Sequence, residues 1–206
     1  MNDPRLDSPA FHRNIEPIVA LLRKNITASG LNWLEIGSGS GQHVVRLAQE
    51  FPSFTFQPTD ITSESLGSIS AWIKDSRLTN VREPILMNLL DDEWQKIDGQ
   101  TFDLISAFNV IHISPWEVTK GLFQAAKIHG NAECRVLLYG PFRIDGKHTS
   151  ESNAAFEAWL RAKNNAFGVR DIEDIKIVAK GNGYKLDHMH EMPANNFMLE
   201  FSNIGG

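Results

Sequence analysis

The run Trp33-Leu34-Glu35-Ile36-Gly37-Ser38-Gly39-Ser40-Gly41-Gln42 constrains the fold more than any other stretch of this chain. An apolar segment closing on an acid leads into three glycines at alternate positions. Val44, Val45, Leu47 and Ala48 then follow at helical spacing. That order spells strand, tight glycine turn, helix. Such a turn lets the backbone approach a ligand closely, and the helix N-terminus presents free N–H groups to it. Glu35 beside the turn would repel a pyrophosphate and suits a cationic ligand or a sugar hydroxyl. The spacing also fails the G-x-G-x-x-G dinucleotide fingerprint, whose third glycine permits close helix–strand packing. In one register that place holds Gln42, and in the other Val44.

Hydrophobic periodicity extends the pattern along the chain. Ile15, Ile18, Val19 and Leu22 predict an N-terminal helix over about 9–25, ahead of a first strand at 32–36. Further strands are expected at 54–59, 84–89, 102–108 and 135–139. The near-continuous apolar run at 102–108 is that of a strand buried on both faces. Helices are marked by Leu66, Ile69 and Ile73, by Val118, Leu122, Ala125 and Ala126, and by Ile172, Ile175, Val178 and Ala179. Asp171 stands as N-cap of the last of these, with Gly181 near its end. Segments 184–189 and 196–201 close the chain as strands joined by a turn at Pro193. Strands alternating with helices predict a doubly wound, Rossmann-like α/β fold with a mostly parallel seven-stranded sheet and an antiparallel last strand. Residues 142–170 interrupt the rhythm as a helical insertion after the fifth strand.

The 206 residues suit one domain, 1–206, and 42% hydrophobic content is ordinary for a globular protein. A formal net charge of −5 without a Lys/Arg cluster argues against a duplex nucleic-acid partner. Cys134 is the only cysteine, so no intrachain disulfide can form. The start lacks the apolar core of a signal peptide, and no apolar run is long enough to span a bilayer. The expectation is a cytoplasmic monomer or homodimer, off the membrane.

The pattern E-x-G-x-G-x-G resembles the first motif of class I S-adenosyl-L-methionine-dependent methyltransferases. Asp60, ending the second strand, has two oxygens suited to ribose hydroxyls, or caps a turn or helix. In such methyltransferases an Asp after the third strand often takes the adenine amino group. Here Asn88 holds that place, and its amide oxygen can accept the same hydrogen bond, with Met87 and Leu89 flanking the ring. Asn109 and His112 follow the fourth strand, at the carboxyl ends where ligands of such sheets bind. His112 is a candidate general base or a structural hydrogen-bonding group.

Further segments sharpen the resemblance. These are Ser8-Pro9-Ala10-Phe11-His12-Arg13-Asn14 with Pro17-Ile18, Asn109-x-x-His112-Ile113-x-Pro115-Trp116, Tyr139-Gly140-Pro141-Phe142, Ser152-Asn153-x-x-Phe156, Gly168-x-Arg170-Asp171 and Met192-Pro193-Ala194-Asn195-Asn196. Together, from about Ser8 to Phe201, they resemble the methyltransferase-like protein 26 family. The resemblance implies a class I methyltransferase fold with bound S-adenosyl-L-methionine, and no known acceptor. Glu35, Gly37, Ser38, Gly39, Gly41, Asp60, Asn88, Leu89 and Asn109 become candidate cofactor contacts. Arg13 and Asn14, just ahead of the first helix, would fold over the cofactor, an Arg pairing with its carboxylate. His12, Trp116, Tyr139, Phe142, Arg143, Asn153, Phe156, Arg161 and Asn196 are the candidate acceptor contacts, with the insertion as a lid. An anionic group on the acceptor would explain Arg143 and Arg161.

Asp187, His188, His190 and Glu191 are metal-ligand types, but alternation on an exposed edge strand explains them more simply. No Asn/Asp-Pro-Pro-aromatic motif follows the fourth strand, which weighs against methylation of amide or base amino nitrogens. The sequence thus reads as a small-molecule methyltransferase. A non-catalytic binder of S-adenosylmethionine or S-adenosylhomocysteine competes with it, and a dinucleotide oxidoreductase less so.

Overall fold

The computed structural model describes residues 3–91, 97 and 99–205. It divides into two compact units, Met1–Asn88 and Leu89–Gly206. The first unit opens with α1 (Pro9–Asn25), in which Pro9 takes a first-turn position that needs no N–H donor. Ile15, Ile18, Val19 and Leu22 bury its apolar stripe. There follow β1 (Asn32–Glu35), α2 (Gln42–Glu50), β2 (Thr55–Asp60), α3 (Ser63–Ser76) and β3 (Ile85–Leu86). β2 runs parallel to β1, setting Thr55 beside Asn32 and Pro58 beside Glu35. β3 runs parallel on the other side, Asp60 facing Leu86. Trp33, Phe51, Phe54 and Phe56 form an aromatic cluster, with ring centroids 5.1 to 6.5 Å apart. The strand expected over 84–89 shrinks to two residues: Pro84 has no N–H for a ladder, and the chain turns at Leu89.

The second unit carries β4 (Phe102–Phe108), α4 (Trp116–His129), β5 (Gly130–Gly140), β6 (Phe142–Ile144), β7 (Lys147–His148), α5 (Glu151–Lys163), β8 (Arg170–Asp171), α6 (Ile172–Gly181), β9 (Tyr184–Met192) and β10 (Asn196–Asn203). β4 and β5 are parallel, with Ile105 opposite Val136. β10 is antiparallel to β5 and to β9, setting Leu199 opposite Leu138 and Met198 opposite His190. The expected strand at 135–139 extends backward to Gly130, directly off α4. The strand order is β3-β2-β1 in the first unit and β4-β5-β10-β9 in the second. The fold is α/β, with a seven-stranded, mostly parallel sheet and an antiparallel last strand.

The insertion holds α5 and also a small sheet, β7-β6-β8, that periodicity did not reveal. Asp145 and Gly146 turn β6 into β7 with φ of 51° and 74°. Two successive positive φ values are what a type I′ hairpin requires, and Asp-Gly is a preferred pair for it. Gly146 N–H donates to Asp171 Oδ2 at 2.6 Å. Asp171 Oδ1 accepts Glu173 N–H at 3.0 Å, capping α6 as expected. Among the described residues no helix is long and apolar enough to cross a membrane.

Candidate functional site

The glycine turn of the first unit is built as its sequence demands. Gly37, Gly39 and Gly41 have φ of 65°, 56° and 88°, the left-handed region that costs other residues energy. Ser38 N–H donates to Thr59 O at 2.8 Å, and Gly39 N–H donates to Asp60 Oδ2 at 2.8 Å. Asp60 Oδ1 accepts from Ile61 N–H at 2.8 Å and Thr62 N–H at 3.3 Å. The buried Asp60 carboxylate therefore ties the turn to the end of β2. A Cβ placed on Gly39 would meet nothing within 4 Å, so the turn borders open space. On Gly41 the same atom would lie 2.8 Å from Ile69 Cα, so this glycine serves helix packing.

Two polar atoms behind the turn, Glu35 Oε2 and Ser38 Oγ, are buried without a hydrogen-bond partner. Burial pushes the Glu35 carboxyl up to about 7; the nearby Ser38 hydroxyl partly offsets this, and the Asp60 charge adds to it. A buried carboxyl with one oxygen unpartnered gains from a nearby cation. Ile61, next to Asp60, is 66% exposed, an apolar surface suited to a flat ring. Leu86 at the end of β3 is also exposed, whereas Leu89 packs in the second unit against Gly121 of α4. Met87 is buried and Asn88 half-buried.

Gln42 fills the place of the missing dinucleotide glycine for a physical reason. Its Oε1 accepts Ser8 N–H at 2.7 Å, and its Nε2 donates to Asp7 Oδ1 at 2.8 Å. Leu6 N–H donates to Ser68 Oγ at 2.8 Å, and Trp72 Nε1 donates to Leu6 O at 3.0 Å. The segment before α1 is thus clasped to α2 and α3. Arg13 and Asn14 lie inside α1, not ahead of it: Arg13 is exposed and Asn14 buried. His12 Nε2 is engaged by Asp7 Oδ1 at 2.7 Å.

In the second unit, Asn109 and His112 converge on Gly140. Asn109 has φ of 60°, and its Nδ2 is buried without a partner. His112 is 2% exposed, with Nδ1 likewise unpartnered. A Cβ on Gly140 would lie 2.5 Å from His112 Cε1 and 3.7 Å from Asn109 Oδ1. Burial, and secondarily the Arg170 charge, hold the His112 pKa down to about 3. Burial therefore favours the neutral ring, and this low basicity weighs against a general-base role without deciding it. α5 covers it: the Phe156 ring lies 5.8 Å from His112 at 70°, and Trp159 stacks on Phe156.

Several acceptor candidates have other duties. Tyr139 and Phe142 are 1% and 0% exposed and belong to the core. Burial pushes the Tyr139 hydroxyl up to about 12. Asn153 Nδ2 donates to Thr149 Oγ1 at 3.0 Å and Asn195 O at 2.9 Å, fastening α5 to the turn after β9. Arg161 donates from Nε to Glu157 Oε1 at 2.7 Å, four residues back on α5. Asn196 Nδ2 donates to Pro193 O at 3.1 Å within its own turn. Trp116 and Arg143 instead line a cavity with Arg170 and with Lys120, a residue the sequence did not single out.

Solved structures share this fold. An O-methyltransferase family protein from Burkholderia thailandensis superimposes with a TM-score of 0.76 at 17% identity, over 94% of this chain and 57% of that one. The pyocyanin biosynthetic protein PhzM gives 0.73 at 13% identity, over 91% and 55%. Magnesium protoporphyrin IX methyltransferase (ChlM) from Synechocystis PCC 6803, with bound SAH, gives 0.68 at 15% identity, over 92% and 81%. The chain spans a little over half the length of the first two. At these identities the likeness is one of fold. Residues 5–203 match the model of a family described as a protein of unknown function, DUF938, and the chain belongs to that family.

Proposed function

We propose that the chain is an S-adenosylmethionine-dependent methyltransferase acting on a small molecule. The observation that carries this is the glycine turn, held open by Asp60 and backed by the buried Glu35 carboxyl, whose Oε2 has no partner. Gly37, Ser38, Gly39 and Gly41 shape the turn. Glu35 stabilises a cationic group, and its ionised form is the one that such a group favours. The lone pair that Asp60 retains accepts a ribose hydroxyl, and Ile61 and Asn88 take the adenine. Arg13, exposed on α1 with no partner among the described residues, pairs with a carboxylate. When bound, S-adenosylmethionine supplies an electrophilic sulfonium methyl. The fold shared with methyltransferases of several kinds supports this assignment, as does the motif set that resembles methyltransferase-like protein 26.

In the second unit, the unpartnered Asn109 Nδ2 and His112 Nδ1 orient the acceptor by hydrogen bonding. A histidine held so firmly neutral positions a group without taking its proton. The acceptor is then one that is already unprotonated in solution, or sheds its proton to water. That same weakness as a base favours a second reading, a protein that binds S-adenosylmethionine or S-adenosylhomocysteine without turnover.

Calorimetric titration with S-adenosylhomocysteine and with NAD tests the ligand class. Binding of the first and none of the second is expected, and binding of NAD alone overturns the proposal. Incubation with S-adenosylmethionine and a metabolite library, reading out S-adenosylhomocysteine, separates the two readings. Turnover with any member supports the enzyme. Binding with no turnover across the library supports the binder.

A further inference from the structure

The second unit contains a cavity of about 490 Å³ whose walls include Trp116, Lys120, Arg143, Arg170, Asp174 and Ile177. Three cations line it, and of these only Lys120 has an ion-pair partner among the described residues. Arg143 Nε is buried, and the side chain makes no hydrogen bond or ion pair among the described residues. Arg170 is fixed by carbonyls instead of an acid. Its Nε donates to Ile111 O at 3.0 Å, and its Nη2 to Ala166 O at 2.8 Å and Ser114 O at 2.5 Å. Its Nη1 is engaged by no described residue. Burial, and after it the Arg161 charge, work against its cation, while the Glu157 and Glu117 charges favour it and the Arg143 charge opposes it. Lys120 approaches only Glu117, at 4.0 Å, with both side chains more than half exposed.

Two acids share the wall with these cations, and neither forms an ion pair with Arg143 or Arg170. Asp171 has given one oxygen to Gly146 N–H and the other to Glu173 N–H. Asp174 remains, exposed, on the first turn of α6. The rest of the wall is apolar. The Arg170 guanidinium lies 5.6 Å from the centre of the Trp116 ring, and Ile177 is 71% exposed. Like charges gathered around a partly buried space disfavour one another, and an entering anion reverses the sign of that interaction. The planar guanidinium fork matches the oxygens of a carboxylate or a phosphate.

We infer that this cavity binds a small organic anion, a carboxylate or phosphate monoester carried on an apolar body. Arg143 and the unengaged Nη1 of Arg170 take the anionic group, Lys120 adds charge from the rim, and Trp116 and Ile177 receive the apolar part. The site moves the expected anion contact from Arg161, which Glu157 occupies, to Arg143 with two partners. It rests on this cavity alone, so it stands or falls separately from methyl transfer.

Isothermal titration of the full chain with benzoate, phenyl phosphate and neutral benzamide tests it. At least one anion should bind, about tenfold or more tightly than benzamide, and the stronger of the two identifies the anionic group. Arg143→Gln should weaken that binding about tenfold, and Lys120→Gln, at an exposed position, by a smaller factor. Circular dichroism and melting temperature should match the parent. The inference is overturned if neither anion binds, if benzamide binds equally well, or if both variants bind undiminished. Should Arg143→Gln not fold, Lys120→Gln and the benzamide comparison still decide.

Discussion

At the residue scale, two glycines two positions apart do different work. Gly39 and Gly41 both have positive φ, but only Gly41 is crowded, by the backbone of Ile69. Gly39→Ala should therefore cost only the left-handed strain, about 1–2 kcal/mol. Its new methyl group projects into open space, where the proposed ligand would lie. Gly41→Ala carries the same strain and must also push α2 from α3, so its loss of stability should be clearly larger. Denaturant unfolding of both variants, with calorimetric titration of S-adenosylhomocysteine, checks this. The expected pattern is a stable Gly39→Ala that has lost affinity and a destabilised Gly41→Ala. Equal stabilities would show that the Ile69 contact yields freely. Undiminished affinity in Gly39→Ala would show that the turn does not face the ligand.

At the element scale, Asn153 fastens α5 through two side-chain hydrogen bonds. Replacing it with Ala removes the bonds to Thr149 and Asn195 and leaves the Asn195 carbonyl unmet. Asn153→Ala should lose about 1–3 kcal/mol, from two hydrogen bonds of roughly 0.5–1.5 kcal/mol each. Hydrogen exchange should speed up in residues 151–163 and 193–196 while β5 stays protected. Unchanged exchange in those segments would show that Asn153 does not fasten the helix.

Elements were legible where periodicity is strong. The apolar run at 102–108 became β4 without adjustment, and the glycine turn was legible because its composition admits few conformations. The β6–β7 hairpin carried a readable signal in Asp145-Gly146, hidden by strands only three and two residues long. The pairing of Arg161 with Glu157 was also available from their spacing of four on a helix. The clasp of Asp7 and Ser8 on Gln42 was not, since it joins residues 34 and 35 positions apart. Nor did alternation reveal that Tyr139 and Phe142 lie in the core, because a strand buried on both faces shows no alternation.

At the scale of the whole molecule, buried titratable groups set how stability responds to pH. Burial holds His112 down to about 3 and His43 down to about 4, against an ordinary value near 6.5. As pH falls below about 6.5 the unfolded chain takes up protons at these positions and the native state does not. Their contribution is complete above 6.5 and is lost toward acid. Glu35 acts the other way. Its carboxyl is raised from 4.5 to about 7, so between those values the native state holds the extra proton, and acidification stabilises it. From pH 6.5 to 5, two histidines therefore work against one glutamate. A net excess of one proton in the unfolded state costs up to about 1.4 kcal/mol per pH unit. The wild-type chain should lose about 1–2 kcal/mol over that interval. Glu35→Gln removes the opposing group and should lose about twice as much. His112→Gln leaves one histidine against one glutamate and should be nearly flat. Denaturant unfolding of the three proteins at pH 6.5 and 5 measures all three slopes. Equal slopes would mean that Glu35 and His112 titrate as they do in water, so that neither is buried in the way that sets their proposed roles.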